Sequence, residues 1–402
     1  LRYNDRMHHR TIRLAPLAFA LTLPLLAVPA SAFDLNSLLP SVSGANAQAS
    51  SDVIADYRRR LKEYLEARDA FEQEAAAYWT DIAEKRRGRN AKRRAHVEIT
   101  LDDYVLTQPP VYTGPKRPVN PAPETEPEPP RERKHIPIVA DLLKAAADYF
   151  QWTPQRPANE IEFKRAYARF ASETGLTREQ AVRVYSFETG GDGRHDSQSG
   201  LIHSSHAIST AIGYNQLLTT NTVELLAEQG PEFMKILAQR AASLSGPARQ
   251  AMEHKLAVLK KMVALARSVP DDWSEHQKIA DTPQGWALHA MVLDIDVGPM
   301  LQTHKLMTSV VFARERGFTR PLTAAELEMM NLTGDGTGLD MVTMPQVMRE
   351  QVPTSNFFQR GGYERNPVAI HHNTVAKLLA VTDARMDANC KQAGAKELGA
   401  AF

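Results

Sequence analysis

The sequence predicts a mainly α-helical protein, and three observations carry that expectation. Apolar residues recur at steps of three and four through most of the chain, strand-like alternation is nearly absent, and residues suited to helix caps stand where the periodic runs begin. The chain has 402 residues, 43% hydrophobic and 24% charged, enough to bury a real core. Its formal net charge of +1 argues against nucleic acid, or any strongly charged polymer, as the main partner.

In chain order, the first element is an export signal. Arg10 and Arg13 follow Met7, the natural start, and precede an apolar run from Leu14 to Val28 that closes on Ala30-Ser31-Ala32. A basic segment, a short apolar run and a small-x-small ending suit signal peptidase, whose pockets admit only small side chains. The run is too short and too proline-broken to cross ~30 Å of hydrocarbon. Cleavage after Ala32 is therefore expected, with delivery to the periplasm or the extracellular space and no membrane span in the mature form. The single cysteine, Cys390, allows no internal disulfide.

Residues 33 to 51 are rich in Ser, Ala and Asn and are expected to be disordered. Ser51-Asp52 caps a long helix expected to run to Gly88, within an N-terminal helical region of 52–106. Val53, Tyr57, Leu61, Tyr64, Phe71, Ala75, Tyr78 and Ile82 form a heptad-like stripe that suits a protein partner or a later domain. The basic run from Lys85 to Arg94 either faces an anionic surface or is the solvated, cation-bearing end of the helix. Residues 107 to 137 hold ten prolines, so 107–136 reads as an extended linker and a domain boundary.

The remainder, 137–402, reads as one helical domain. Helices are expected over 138–152, 159–173, 221–229, 231–244, 248–268 and 283–316, the last breaking near Gly298-Pro299. Thr177, with Gln180 three residues on, starts a further helix that ends at Glu188. Thr189-Gly190-Gly191-Asp192-Gly193 follows, so the Glu188 carboxyl is expected at the wall of a cleft, against Tyr185 and Phe187. Burial there raises its pKa and keeps the proton that a glycosidic oxygen needs.

A Ser/His-rich loop then leads to Gly213-Tyr214-Asn215-Gln216-Leu217. Gly213 allows close backbone approach to a ligand, Tyr214 offers a stacking face, and Asn215 and Gln216 offer amides to sugar hydroxyls. A helix-terminal Glu, a polar loop, Gly-x-x-Gln-Leu and a helix opening on Thr219-Thr220-Asn221 together resemble the lytic transglycosylase and goose-type lysozyme group over residues 160–229. That resemblance implies a lysozyme-like domain acting on peptidoglycan glycan strands. Glu188 would protonate the bond between N-acetylmuramic acid and N-acetylglucosamine, then take the proton of the sugar's own C6 hydroxyl. Gln216 matches the family's glycan-contacting Gln. Thr189 stands where the family has Ser and Asn215 where it has Met, while the later Tyr-Asn-Ala-Gly motif is echoed loosely by Met330-Asn331-Leu332-Thr333-Gly334.

Glu188-Thr189-Gly190-Gly191 also resembles plant-type chitinases, which invert and need a second carboxylate, for which Asp192, Asp196 and Asp335 are candidates. A non-catalytic envelope protein that binds glycan or a protein partner is the competing class. His195, Asp196, His203 and His206 read as a polar loop rather than a metal site, and no cofactor is called for. Gly334 to Asp340 reads as a tight turn, and Met329, Met330, Met341, Met344 and Met348 as core.

Overall fold

The computed structural model describes residues 51–121, 135–193 and 209–402. The expected signal peptide, the 33–50 segment, Asp196 and the three loop histidines lie outside them. Among the described residues there are sixteen α-helices, three short 3₁₀ turns and only isolated β-bridges, so the fold is mainly α. No described helix is long and apolar enough to cross a membrane.

The chain divides into two compact units, 1–67 with 114–127 and 68–113 with 128–402. In the first, the start of helix α1 (Ser51–Arg94) is laced by exposed ion pairs one turn apart, Arg59 to Asp56 and to Glu63, both at 2.7 Å. Residues 68–113 belong with the C-terminal helices, and the divisions fall after Ala67, Thr113 and Pro127, the last two within the proline-rich segment.

Helix α1 runs past Gly88, where an end was expected, to Arg94. The basic run is therefore helical, and three of its arginines are held within the second unit. Arg86 and Arg89 donate to the Asn356 carbonyl, both at 3.1 Å, Arg89 lies 4.3 Å over the Tyr104 ring, and Arg93 pairs with Asp340. Tertiary carbonyls and a carboxylate hold these three guanidinium groups, while Arg87 and Arg94 are exposed and Lys92, Arg93 and Arg94 form the cation-bearing last turn of the helix. Of the expected stripe, Ala75 and Ile82 are buried.

Three apolar clusters make up the second unit. The first gathers α2 (Val139–Phe150), α5 (Thr219–Ser243), α6 (Gly246–Ala266), α7 (Trp273–Ala280) and α8 (Pro283–His289). Helix α5 replaces two expected helices. It continues through Pro231, where Gly230 sits so close to α6 that a side chain there would meet Val263 Cγ2 at 2.4 Å. The second cluster gathers α3 (Glu160–Thr174), α4 (Arg178–Thr189), α9 (Gly298–Glu315), α10 (Ala324–Thr333), α15 (Val375–Asn389) and α16 (Ala393–Ala401). The expected break in 283–316 is present, between α8 and α9. The third cluster holds Tyr104, Phe357, Phe358 and the buried Met329, Met341 and Met344. Gly334 alone makes the expected turn, at φ +86°, while 335–343 is helix α11.

Candidate functional site

Helix α4 begins as the capping box foretold: Gln180 N donates to Thr177 Oγ1 and Thr177 N to Gln180 Oε1, both at 3.1 Å. It ends at Gly190, whose φ of +77° only glycine adopts easily. The glycines beyond it are not a loose cleft rim. Gly191 is packed so that a Cβ would lie 2.7 Å from the Asn389 carbonyl, and its own carbonyl accepts from Ala395 N at 2.9 Å. Helices α15 and α16 thus pin the end of α4 and fix the direction of Glu188.

Glu188 is half-buried, as expected. Its partners come from α10, and the segment just before α10 is tied to α4 by the 2.9 Å bond from Gln180 Nε2 to the Leu322 carbonyl. Asn331 Nδ2 donates to Glu188 Oε1 at 2.7 Å and lies 3.4 Å from Glu328 Oε2. Glu328 is fully buried beside Glu188, close enough to share a proton with it, and its Oε1 has no hydrogen-bond partner. Burial raises the Glu188 carboxyl above its ordinary range, although Glu328, Lys305 and Asn331 each pull it down. Burial first, and the Glu188 charge second, hold the Glu328 carboxyl well above that range. Two neighbouring carboxyls oppose each other's ionisation, which adds to the cost that burial places on charging either one.

Neither Glu328 nor Lys305 was a candidate from sequence, and Asn331 figured only as part of a loose motif echo. A signal was nevertheless present: Glu328 interrupts the apolar run Leu327-Glu328-Met329-Met330, and a carboxylate in a buried helical stripe asks for a reason. Of the second carboxylates expected, Asp192 lies partly buried just beyond α4 and Asp335 accepts from Ser309 Oγ at 2.5 Å.

The Gly213–Gln216 block is built differently from its sequence reading. Ile212 and Leu217 exchange backbone hydrogen bonds at 3.0 Å, closing a tight turn. Gly213 is required by protein and not by ligand, since at φ +86° a Cβ would stand 1.8 Å from Gln302 Nε2. Tyr214 is fully buried, edge-on to Phe163, Tyr167 and Tyr185 with ring centres 4.8–5.2 Å apart, and its hydroxyl donates to Glu160 at 2.6 Å. It presents no stacking face. Asn215 is also buried and locked to Gln302, through its backbone N at 2.9 Å and its Nδ2 at 2.6 Å. Gln216 sits at φ +45° with its Nε2 on the Gly213 carbonyl at 2.8 Å, so its amide braces the turn. The turn and Glu188 are still linked, because Tyr214 packs on Tyr185, one turn before the acid.

Among the described residues no group of three or more His, Cys, Asp or Glu side chains is placed to hold a metal ion. Comparison with protein-family models, curated proteins and solved structures gives no match.

Proposed function

We propose that the protein is exported and cleaves peptidoglycan glycan strands as a lytic transglycosylase, with Glu188 as its acid and base. The observation that carries this reading is the Glu188–Glu328–Asn331 cluster: a helix-terminal carboxyl, partly buried, with its pKa raised and one oxygen held by an amide. A raised carboxyl keeps a proton for the glycosidic oxygen. Once Glu188 has given it up, Glu328 is still neutral, and Glu328 and Asn331 both donate toward the new carboxylate. That carboxylate then accepts the proton of the C6 hydroxyl as C6–O attacks C1, giving a 1,6-anhydro sugar with no water consumed. Glu328 is a positioning residue in this scheme.

The alternative inverting hydrolysis needs carboxyls roughly 6.5–9.5 Å apart with water between them. Glu188 and Glu328 both reach the Asn331 amide nitrogen, at 2.7 and 3.4 Å, too close together for that spacing, which favours the one-carboxylate cycle over that pairing. The test is to incubate the full chain with purified sacculi and read soluble products by mass spectrometry. Anhydro-muropeptides are expected from the wild type, with release about 10²–10⁴-fold slower for Glu188→Gln. Binding to sacculi without release by the wild type, or undiminished release by the variant, overturns the reading.

A further inference from the structure

Leu378, Thr382, Arg385 and Asn389 recur at steps of four, three and four, so they form one stripe along α15. That stripe lines a cavity of about 400 Å³, whose other walls are Phe187 from α4, Leu332 from α10 and Val368 from the short helix α14 (Pro367–His371). Glu188, Glu328 and Asn331 take no part in the lining. Packing alone would fill the stripe with apolar residues, yet only Leu378 is one. Thr382 is fully buried, and its Oγ1 has no hydrogen-bond partner. The helical Thr174, Thr189, Thr333 and Thr343 each return the hydroxyl to the carbonyl four residues back, at 2.7–3.0 Å. Thr382 does not, and a buried hydroxyl left orphaned is costly unless a ligand meets it.

Arg385, one turn on, is exposed and forms no ion pair among the described residues, while its flanking acids, Asp383 and Asp387, are bound by Arg183 at 2.7 and 2.5 Å. Asn366 spends its Oδ1 on Ala369 N at 3.0 Å to cap α14, which leaves its Nδ2 as a donor. Asn389 donates to the Ser186 carbonyl at 2.8 Å and so braces α15 on α4. The cavity therefore offers donors, one positive charge and apolar walls on a helical frame. A single guanidinium balances one negative charge, and the volume suits a small molecule. Side chains three apart on a helix are neighbours, so Thr382 and Arg385 can meet the two oxygens of one carboxylate. We infer that this cavity binds a small monocarboxylate with a branched aliphatic body, its carboxylate on Arg385 and Thr382 and its hydrocarbon against Phe187, Leu332, Val368 and Leu378. The inference concerns a second site and stands whether or not the chain cleaves glycan.

Calorimetry on the full chain with three probes tests it. 4-Methylpentanoate carries both features, 4-methylpentanol keeps the body without the charge, and acetate keeps the charge without the body. The wild type should bind 4-methylpentanoate at least about tenfold more tightly than either of the others. Arg385→Ala should weaken the acid about tenfold, to the level of the alcohol, and leave the alcohol unchanged. Thr382→Val keeps the shape and removes the orphan hydroxyl, so the free chain should melt no lower than the wild type and yet bind the acid more weakly. Circular dichroism should report intact helix in both variants. No binding of the acid by the wild type at up to about 10 mM overturns the inference. So does equal affinity for acid and alcohol, or acid binding that Arg385→Ala leaves unchanged.

Discussion

Asp294 and Asp296 share the buried Lys255, whereas Glu188 and Glu328 share the Asn331 amide; the two carboxyl pairs show opposite solutions to one problem. Asp294 is fully buried, yet its Oδ1 accepts from Lys255 Nζ at 2.9 Å and from Asp296 N and Val297 N, while its Oδ2 accepts from Gln155 N at 3.0 Å. Asp296 pairs with Lys255 and with Arg240, the latter at 3.2 Å. Every lone pair that burial strips of water finds a donor, and a cation cancels the charge. Glu328 is as deeply buried but has a carboxyl for a neighbour, one shared amide and an orphan oxygen. The first arrangement spends its charges on holding α6 to the segment before α9. The second leaves a buried carboxyl short of donors, and such imbalance favours proton transfer over rigidity.

The largest expected effect comes from breaking the first pair. Lys255→Met leaves the buried Asp294 without a cation and Asp296 with Arg240 alone, and should cost about 3–5 kcal/mol in urea unfolding at pH 7. A loss no larger than that of Glu328→Gln would remove the distinction between the clusters.

The second pair should show itself through pH. Both glutamates are raised above the ordinary value of 4.5, so the folded chain holds protons that the unfolded chain releases as pH rises past that value. Stability contributed by these protons is complete below about 4.5, and is lost as pH climbs through the raised folded values. Glu188→Gln removes one titrating group and its neighbour's like charge. Its unfolding free energy, measured from pH 4 to pH 8, should therefore gain on the wild type as pH rises, by about 1.4 kcal/mol for each unit of raised pKa. A gap that stays constant with pH would mean that the Glu188 carboxyl is not raised in the folded chain.

The smallest effect sharpens the assignment of the turn. Tyr214→Phe removes only the hydroxyl bonded to Glu160 and should cost about 1–2 kcal/mol, with unchanged glycan cleavage per folded molecule. A selective loss of cleavage would return Tyr214 to the ligand.

Elements whose cause is local were legible from sequence. Thr177 and Gln180 form a capping box from residues three apart, Gly175 and Gly190 end helices at positive φ, and the methionines at 329, 330, 341 and 344 are buried as their spacing suggested. Local signals also misled. Gly88 and Pro231 are poor helix formers, but α1 and α5 run through them because packing on Asn356 and Val263 outweighs a propensity of about 1–3 kcal/mol. Gly213-Tyr214-Asn215-Gln216 has the composition of a sugar site and the burial of a core, and nothing within four residues tells the two apart.

By itself the sequence determined that this chain is helical, where several of its helices start and that Glu188 closes one of them, because helix periodicity and capping act over three or four residues. Only the tertiary structure decided that Asn331, 143 positions further on, would hold that carboxyl, and that Glu328 rather than Asp192 would stand beside it. Which distant side chains share a dry site depends on how α10 packs against α4, and that follows from the shape of the whole core rather than from any local pattern.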